Sequence, residues 1–460
     1  MTTLLRVIGA LIVVGLAALA AFIFVPQSRT PAQTARVTVS QPGEDAPLYA
    51  TRLADCAACH TAEGGKPFAG GRPIDSPFGA IYSSNITPDP ETGIGGVTLD
   101  QFRASLYDGI GRNGENLYPA MPYDNYRKLT EADVKALYTY FTKQVAPVKN
   151  KVAETKLSFP FNQRWGIRAW KWVSLPEPGF KPHFNDAKLD RGAYLVEGPG
   201  HCGACHSPRN AVFAQSGFTS EAPGFLSGGE ISGWTAPDLR SKSSSIAGWS
   251  AGDLDLFLAS GRNAHAGVTG EMKLAIEHSL QYLSDDDRGA MVAYLQAIGG
   301  KGKAPEGEAS NEEPSSKPMA RADTLKSENA TKTEQLLASA DPKMPLGARL
   351  YLDNCAACHF VDGRGASGIF PALDGNAVVT APTEKGLITT ILQGAALPST
   401  ERRPMAVAMP GFADRLSDKD VADLATFVRG AWHNKAGAVS PDTVRKVRST
   451  PGATGKTATN

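Results

Sequence analysis

The apolar positions of this chain fall into one unbroken run followed by a short helical pattern that recurs three times. From Val7 to Val25 no charge interrupts the run; Arg6 precedes it and Pro26-Gln27-Ser28-Arg29 follows. At about 1.5 Å per helical residue it nearly matches the roughly 30 Å hydrocarbon core of a bilayer. The apolar part of a secretion signal is commonly shorter, about 7 to 15 residues. An uncleaved transmembrane helix is therefore expected. Ala18-Leu19-Ala20 resembles a cleavage site, and a removed signal would leave a mature terminus near Ala21. Residues 26 to about 46 are rich in Pro, Thr and Gln, lack periodicity and read as a tether.

After the tether, Leu48, Tyr49 and Leu53 lie on one helical face, and the arrangement returns at Ala193-Tyr194-Leu195 and at Ala348 to Leu352. Each short helix is answered later by a helix start. Leu129-Thr130-Glu131-Ala132-Asp133, Leu283-Ser284-Asp285-Asp286-Asp287 and Leu416-Ser417-Asp418-Lys419-Asp420 all place Ser or Thr three residues before an acid. Behind these caps, Leu137, Tyr140 and Phe141, then Met291, Tyr294 and Leu295, then Leu424, Phe427 and Val428 form single apolar faces. Between the two helices of each repeat lies a landmark: Ser84-Asn85-Ile86, Pro237-Asp238-Leu239 and Pro371-Ala372-Leu373. Residues 301 to 343 are mixed in charge and nearly without aromatics, a composition that cannot bury enough apolar surface to fold alone.

Cysteine usage turns this threefold pattern into chemistry. All six cysteines lie in Cys56-Ala57-Ala58-Cys59-His60, Cys202-Gly203-Ala204-Cys205-His206 and Cys355-Ala356-Ala357-Cys358-His359. Two thiols three positions apart can each add to a haem vinyl group, and the following histidine is placed to coordinate the iron. Zinc shared between pairs would leave one pair of the three without a partner, and a thioredoxin-like dithiol does not explain the histidine. A disulfide within Cys-x-x-Cys closes too small a loop to staple a fold. Three covalently bound haem c groups are expected, with His60, His206 and His359 as proximal ligands. A landmark carbonyl is expected to accept the histidine ring N–H; Pro371, twelve residues after His359, is the clearest instance.

A second axial ligand is needed for electron transfer, and methionine raises the potential relative to histidine. Ile86 to Met121 is 35 residues, Leu239 to Met272 is 33 and Leu373 to Met409 is 36, which makes these three methionines the expected distal ligands. Met121 and Met409 are each followed by proline; Met272 is not. Met405 is the rival to Met409, and His265 and His278 are the rivals to Met272, while Met291 falls inside a helix as core. His183, His201 and His433 read as surface or hydrogen-bonded residues, and Trp234, Trp249 and Trp432 as packing. Arg72, Arg209 and Arg262 could meet haem propionates, but arginines are usually solvated, so they are not counted among the site residues.

The 460 residues carry a formal charge of +1 with no block of one sign, so nothing points to nucleic acid. The resulting reading is a mainly α protein with three tandem class I-like cytochrome c domains after an N-terminal transmembrane helix. Its parts are an anchor and tether over 1–35, domains over 36–180, 181–300 and 344–446, a flexible linker over 301–343, and a disordered tail over 447–460.

From about Leu48 to Lys446 the chain resembles the tri-haem cytochrome c subunit of membrane-bound bacterial dehydrogenases, of the alcohol, gluconate, sorbitol and aldehyde type. The resemblance rests on Phe68-Ala69-Gly70-Gly71, Ser83 to Asp89, Thr92-Gly93-Ile94-Gly95, Leu117 to Tyr123, Gly200-His201-Cys202, Leu226 to Gly229 with Trp234, and Met409 to Leu416 running on to Phe427-Val428-Arg429. It implies a subunit without catalytic residues of its own. Electrons would come from a quinoprotein, flavoprotein or molybdoprotein partner and pass to ubiquinone or a terminal-oxidase carrier. The haem domains would face the periplasm from the bacterial inner membrane. The competing reading is a multi-haem c-type peroxidase, which needs one haem with an open distal position.

Overall fold

The computed structural model describes residues 2–33, 45–242, 244, 246–299 and 330–449. It is mainly helical and begins with the apolar helix Thr2–Phe24, of which Arg6–Phe24 is long and apolar enough to cross a membrane. The described part of the tether lies against the body. Thr30 donates from its backbone N–H and its hydroxyl to the Asp108 carboxylate, at 2.8 and 2.5 Å, and Gln27 Nε2 donates to Asn116 Oδ1 at 2.9 Å.

Behind it the described residues form three hydrophobic cores, one for each sequence repeat. Each is built where a short helix preceding a cysteine motif packs against a capped later helix: Ala46–Leu53 on Glu131–Thr139, Ala187–Glu197 on Asp285–Ile298, and Leu346–Asn354 on Asp418–Gly430. The caps form as the sequence predicts. The hydroxyls of Thr130, Ser284 and Ser417 accept the N–H of Asp133, Asp287 and Asp420 at 3.1, 3.2 and 3.2 Å. In the second and third pairs the helices meet at glycine, because a Cβ at Gly192 would lie 2.1 Å from Ala290 O and one at Gly347 2.3 Å from Asp423 O. The backbones therefore touch, and the crossing is fixed in register. Among the described residues three two-stranded antiparallel ribbons flank the helices: Pro73–Ile74 with Ile81–Tyr82, Gly229–Ile231 with Trp234–Ala236, and Ala395–Ala396 with Ala408–Met409.

The first two cores are locked together. Lys128 Nζ and Glu197 Oε2 form a buried ion pair at 2.9 Å, the Tyr194 hydroxyl donates to Asp133, and Tyr49 reaches across to Asp287 at 2.7 Å. Asp287 is itself held by Arg191 through two bonds of 2.8 and 2.7 Å. Buried ion pairs contribute little net stability, but breaking one strands a charge, so this seam admits one docking geometry. The third core meets the second through the exposed pair Lys385–Glu230 and through Gly368 N–H donating to Asn263 O at 3.1 Å.

Two boundaries differ from the sequence reading. The flexible linker expected over 301–343 gives way to a helix, Lys332–Ser339, with a Thr331/Glu334 capping box; Leu337 is buried in the third core. One well-placed leucine suffices where a core already exists to receive it, which composition alone does not reveal. Residues 301–329 lie outside the described residues. The tail expected over 447–460 is ordered at its start: Pro441–Arg448 is helical, Val447 is buried, and Arg448 donates to Asp418 Oδ1 at 2.8 Å and Leu416 O at 2.9 Å, while residues 450–460 lie outside the described residues.

Candidate haem sites

Each cysteine motif forms a short helix, Cys56–His60, Gly203–His206 and Ala356–His359, directly after the first helix of its repeat. The motif histidine then meets the landmark. His60 Nδ1 lies 2.7 Å from Ser84 O, His206 Nδ1 2.8 Å from Pro237 O, and His359 Nδ1 2.9 Å from Pro371 O. A carbonyl only accepts, so the proton sits on Nδ1 and the Nε2 lone pair is left for a metal. Burial lowers the pKa of all three rings, against the pull of the carbonyls, and favours the neutral form that coordination requires.

The loop that presents the carbonyl is built the same way three times. Phe68, Leu226 and Gly363 take positive φ, and their carbonyls accept the N–H of Ile86, Leu239 and Leu373 at 3.0, 2.9 and 2.7 Å. Two residues further on, Gly70, Gly228 and Gly365, again at positive φ, donate to the carbonyls of His60, His206 and His359 at 2.8, 2.8 and 3.3 Å. A Cβ at Gly70 would lie 2.4 Å from Ser84 C, and one at Gly365 2.2 Å from Phe370 O and 2.6 Å from Pro371 O. Only glycine permits this approach, which couples histidine orientation to backbone packing.

Five of the six thiols are unusually hard to ionise. Burial is the largest cause in each case: Cys59, Cys202 and Cys355 are pushed up to about 12, Cys205 to about 11, and Cys56 higher still. A redox dithiol of thioredoxin type needs the opposite shift. Among the described residues no three His, Cys, Asp or Glu side chains converge as a closed zinc site requires. Cys56, Cys59 and His60 open on a cleft of about 2,020 Å³ that also takes in Cys205 and Pro237 of the second repeat and Thr380 to Thr383 of the third; Phe102, Leu137, Phe141 and Met121 wall its first-repeat end. Small-molecule sites commonly run to roughly 1,000 Å³, so a macrocycle fits there between histidine and methionine.

Each expected methionine packs on the same core as a cysteine of its own motif: Met121 with Cys56, Met272 with Cys202, Met409 with Cys355. Met121 lies in a bend just before Tyr123–Tyr126, and Met409 lies on its short strand opposite Ala395. Met272 differs, being the second residue of the helix Glu271–His278 rather than part of a loop. Met405, the rival to Met409, is 73 % exposed. His265 stacks on Trp249 and lies 3.4 Å from Asp253 through Nε2, while His278 ends its helix.

The three arginines each have protein partners. Arg72 donates to Ala58 O and pairs with Glu271 at 2.7 Å; Arg209 donates to Ala204 O at 2.5 Å. Both hold the residue between the two cysteines of a motif. Arg262 is buried at the seam of the second and third cores, where Nη2 donates to Met405 O at 3.2 Å. Sequence reasoning also missed Asp55. It sits at φ 49 directly before Cys56 with Oδ1 unpartnered, and burial raises its pKa well above the usual carboxylate range against the pull of Arg72. Its field also reaches Cys202 and Cys205, so the first two motifs meet across the seam.

Paired helices, a histidine fixed by a backbone carbonyl and a neighbouring Cys-x-x-Cys pair define a c-type cytochrome, and the cytochrome c family model matches residues 345–432. The chain is 40% identical over 408 residues to the cytochrome c subunit of the quinone-type alcohol dehydrogenase of Gluconobacter oxydans, covering 87% of this chain and 81% of that one. It is 41% identical over 399 residues to the gluconate 2-dehydrogenase cytochrome c subunit of Pantoea cypripedii (85% and 86%). Against the fructose dehydrogenase cytochrome subunit of Gluconobacter japonicus it is 39% identical over 437 residues (92% and 85%). The chain belongs to this family of dehydrogenase cytochrome c subunits. It is an electron-transfer subunit with covalently bound haem c, not a catalytic one.

Proposed function

We propose that the chain carries three haem c groups in three tandem class I-like domains and relays electrons from a dehydrogenase catalytic subunit to ubiquinone or a terminal-oxidase carrier. The thioether positions are Cys56 and Cys59, Cys202 and Cys205, and Cys355 and Cys358. The axial pairs are His60 with Met121, His206 with Met272, and His359 with Met409. The observation that carries this reading is the same histidine-to-carbonyl bond made three times on the same glycine loop. Haem supplies a one-electron couple, which methionine ligation raises in potential. The protein's part is to fix the Nδ1 tautomer, bury the site and hold the first two sites at a constant separation.

The intact mass is expected to exceed the polypeptide by three haems that survive denaturation; two haems, or haem extracted by acid acetone, would overturn the count. The peroxidase reading finds no support: a methionine packs on every core beside a motif cysteine, and the relatives named above are dehydrogenase subunits.

The helix Arg6–Phe24 supports an inner-membrane anchor with the haem domains in the periplasm. On this reading the protein stays in the membrane fraction after washing with high salt. A mature N-terminus at about Ala21 would instead identify a removed signal.

A further inference from the structure

The anchor helix does not simply lead into the first core; its last turn is gripped by a second helix, Gly166–Ser174. Phe22 meets Trp172 edge-on at 5.0 Å and Trp165 at 6.4 Å. Arg168 Nη1 donates to the carbonyls of Phe22 and Val25 at 2.6 and 2.7 Å, closing the free C-terminal end of the anchor. These contacts set a level. If Arg6–Phe24 fills the hydrocarbon thickness, Phe22 lies at its edge, and the helix packed on Phe22 lies where hydrocarbon gives way to headgroups.

At that level the protein exposes what a water-facing surface avoids. Trp172 is 70 % exposed, Val173 76 %, Trp165 42 %, and Phe159, in the turn just before, 80 %. The opposite side of the helix is buried: Ile167 packs inward, and Lys171 Nζ donates to Gly109 O and Asn116 Oδ1 at 2.8 Å each. The outward face is thus held on the first core and is not a loose apolar tail. Tryptophan with one apolar and one polar edge suits the bilayer interface.

We propose that residues 159–174 form an interfacial collar that lies in the headgroup region of the bilayer around the exit of the anchor helix. The occupant of this face is lipid rather than the catalytic subunit, because the face is continuous with the exposed apolar surface of the span itself. The proposal rests on the anchor reading, and its test separates the two. The full-length haem-loaded protein is placed in phosphatidylethanolamine/phosphatidylglycerol vesicles containing a phospholipid with a photoreactive acyl chain, and adducts are mapped by mass spectrometry. Adducts are expected both within Arg6–Phe24 and on Trp165, Trp172 and Val173. The double variant Trp172→Ser, Val173→Ser is expected to lose the collar adducts while the span adducts persist. Adducts on the span with none on the collar overturn the collar and leave the anchor standing. A mature terminus near Ala21 in the same sample, with adducts on the collar, overturns the anchor and leaves the collar. Collar crosslinks to the large subunit of the purified complex in place of lipid adducts overturn the choice of occupant.

Discussion

Replacing Met272 by alanine is expected to open one of the three proposed haems. The reduced protein should then bind carbon monoxide at that haem, its potential should fall, and electron flow to the final acceptor should slow. Substrate oxidation measured with an artificial acceptor at the catalytic subunit should be largely unchanged. The argument combines register with packing, since Met272 lies 33 residues past Leu239, close to the 35 and 36 of the other repeats, and packs on the same core as Cys202. Its position inside a helix makes it the most informative of the three. If Met272→Ala leaves ligation intact while His265→Ala or His278→Ala opens the haem, the second site is a bis-histidine site of lower potential and the assignment fails.

Gly365→Ala is expected to cost the third unit its haem. Alanine at φ +59 carries a penalty of roughly 1–2 kcal/mol for the left-handed conformation. Its Cβ would also press on Phe370 O at 2.2 Å and Pro371 O at 2.6 Å, an overpacking of roughly 1–3 kcal/mol. The carbonyl displaced is the one that holds His359 Nδ1. Gly375→Ala is the control, because its φ of 71 is similar but its Cβ would meet nothing within 4 Å. The first variant should lose one haem in the intact mass and unfold its third unit at lower temperature, while the second should show only the conformational penalty. Equal behaviour of the two would mean that the carbonyl contact does not organise the site.

Much of this architecture was legible because its signals are local. A cap needs only Ser417 and Asp420, a helix face needs residues three and four apart, and a haem motif needs five consecutive positions. The landmark carbonyls were legible at Pro371, where proline and spacing coincide, and the same bond at Ser84 shows that the backbone, not the proline, performs the role. What escaped the sequence was long-range. Nothing near Leu337 announces that it fills a core whose cysteine motif comes after it, and nothing near Arg72 or Arg209 says that a motif carbonyl is their partner. Asp55 escaped for another reason: an acid before a cysteine looks solvated, and nothing in its neighbours along the chain says that it is buried.

The seam of Lys128, Glu197, Tyr194, Asp133, Tyr49 and Asp287 also bears on heredity and engineering. Tyr49 stands in the first helix of the first repeat, yet its hydroxyl bonds the capped turn that opens the last helix of the second. A chimera that exchanges either repeat for that of a relative must therefore bring the matching half of the seam or strand Lys128 and Glu197 as buried, unpaired charges. Exchange of repeats is therefore expected to preserve folding only when the first two move together. The third meets the second through a different set of contacts, with Arg262 buried at their boundary and Lys385 paired with Glu230, so its exchange must match those partners instead.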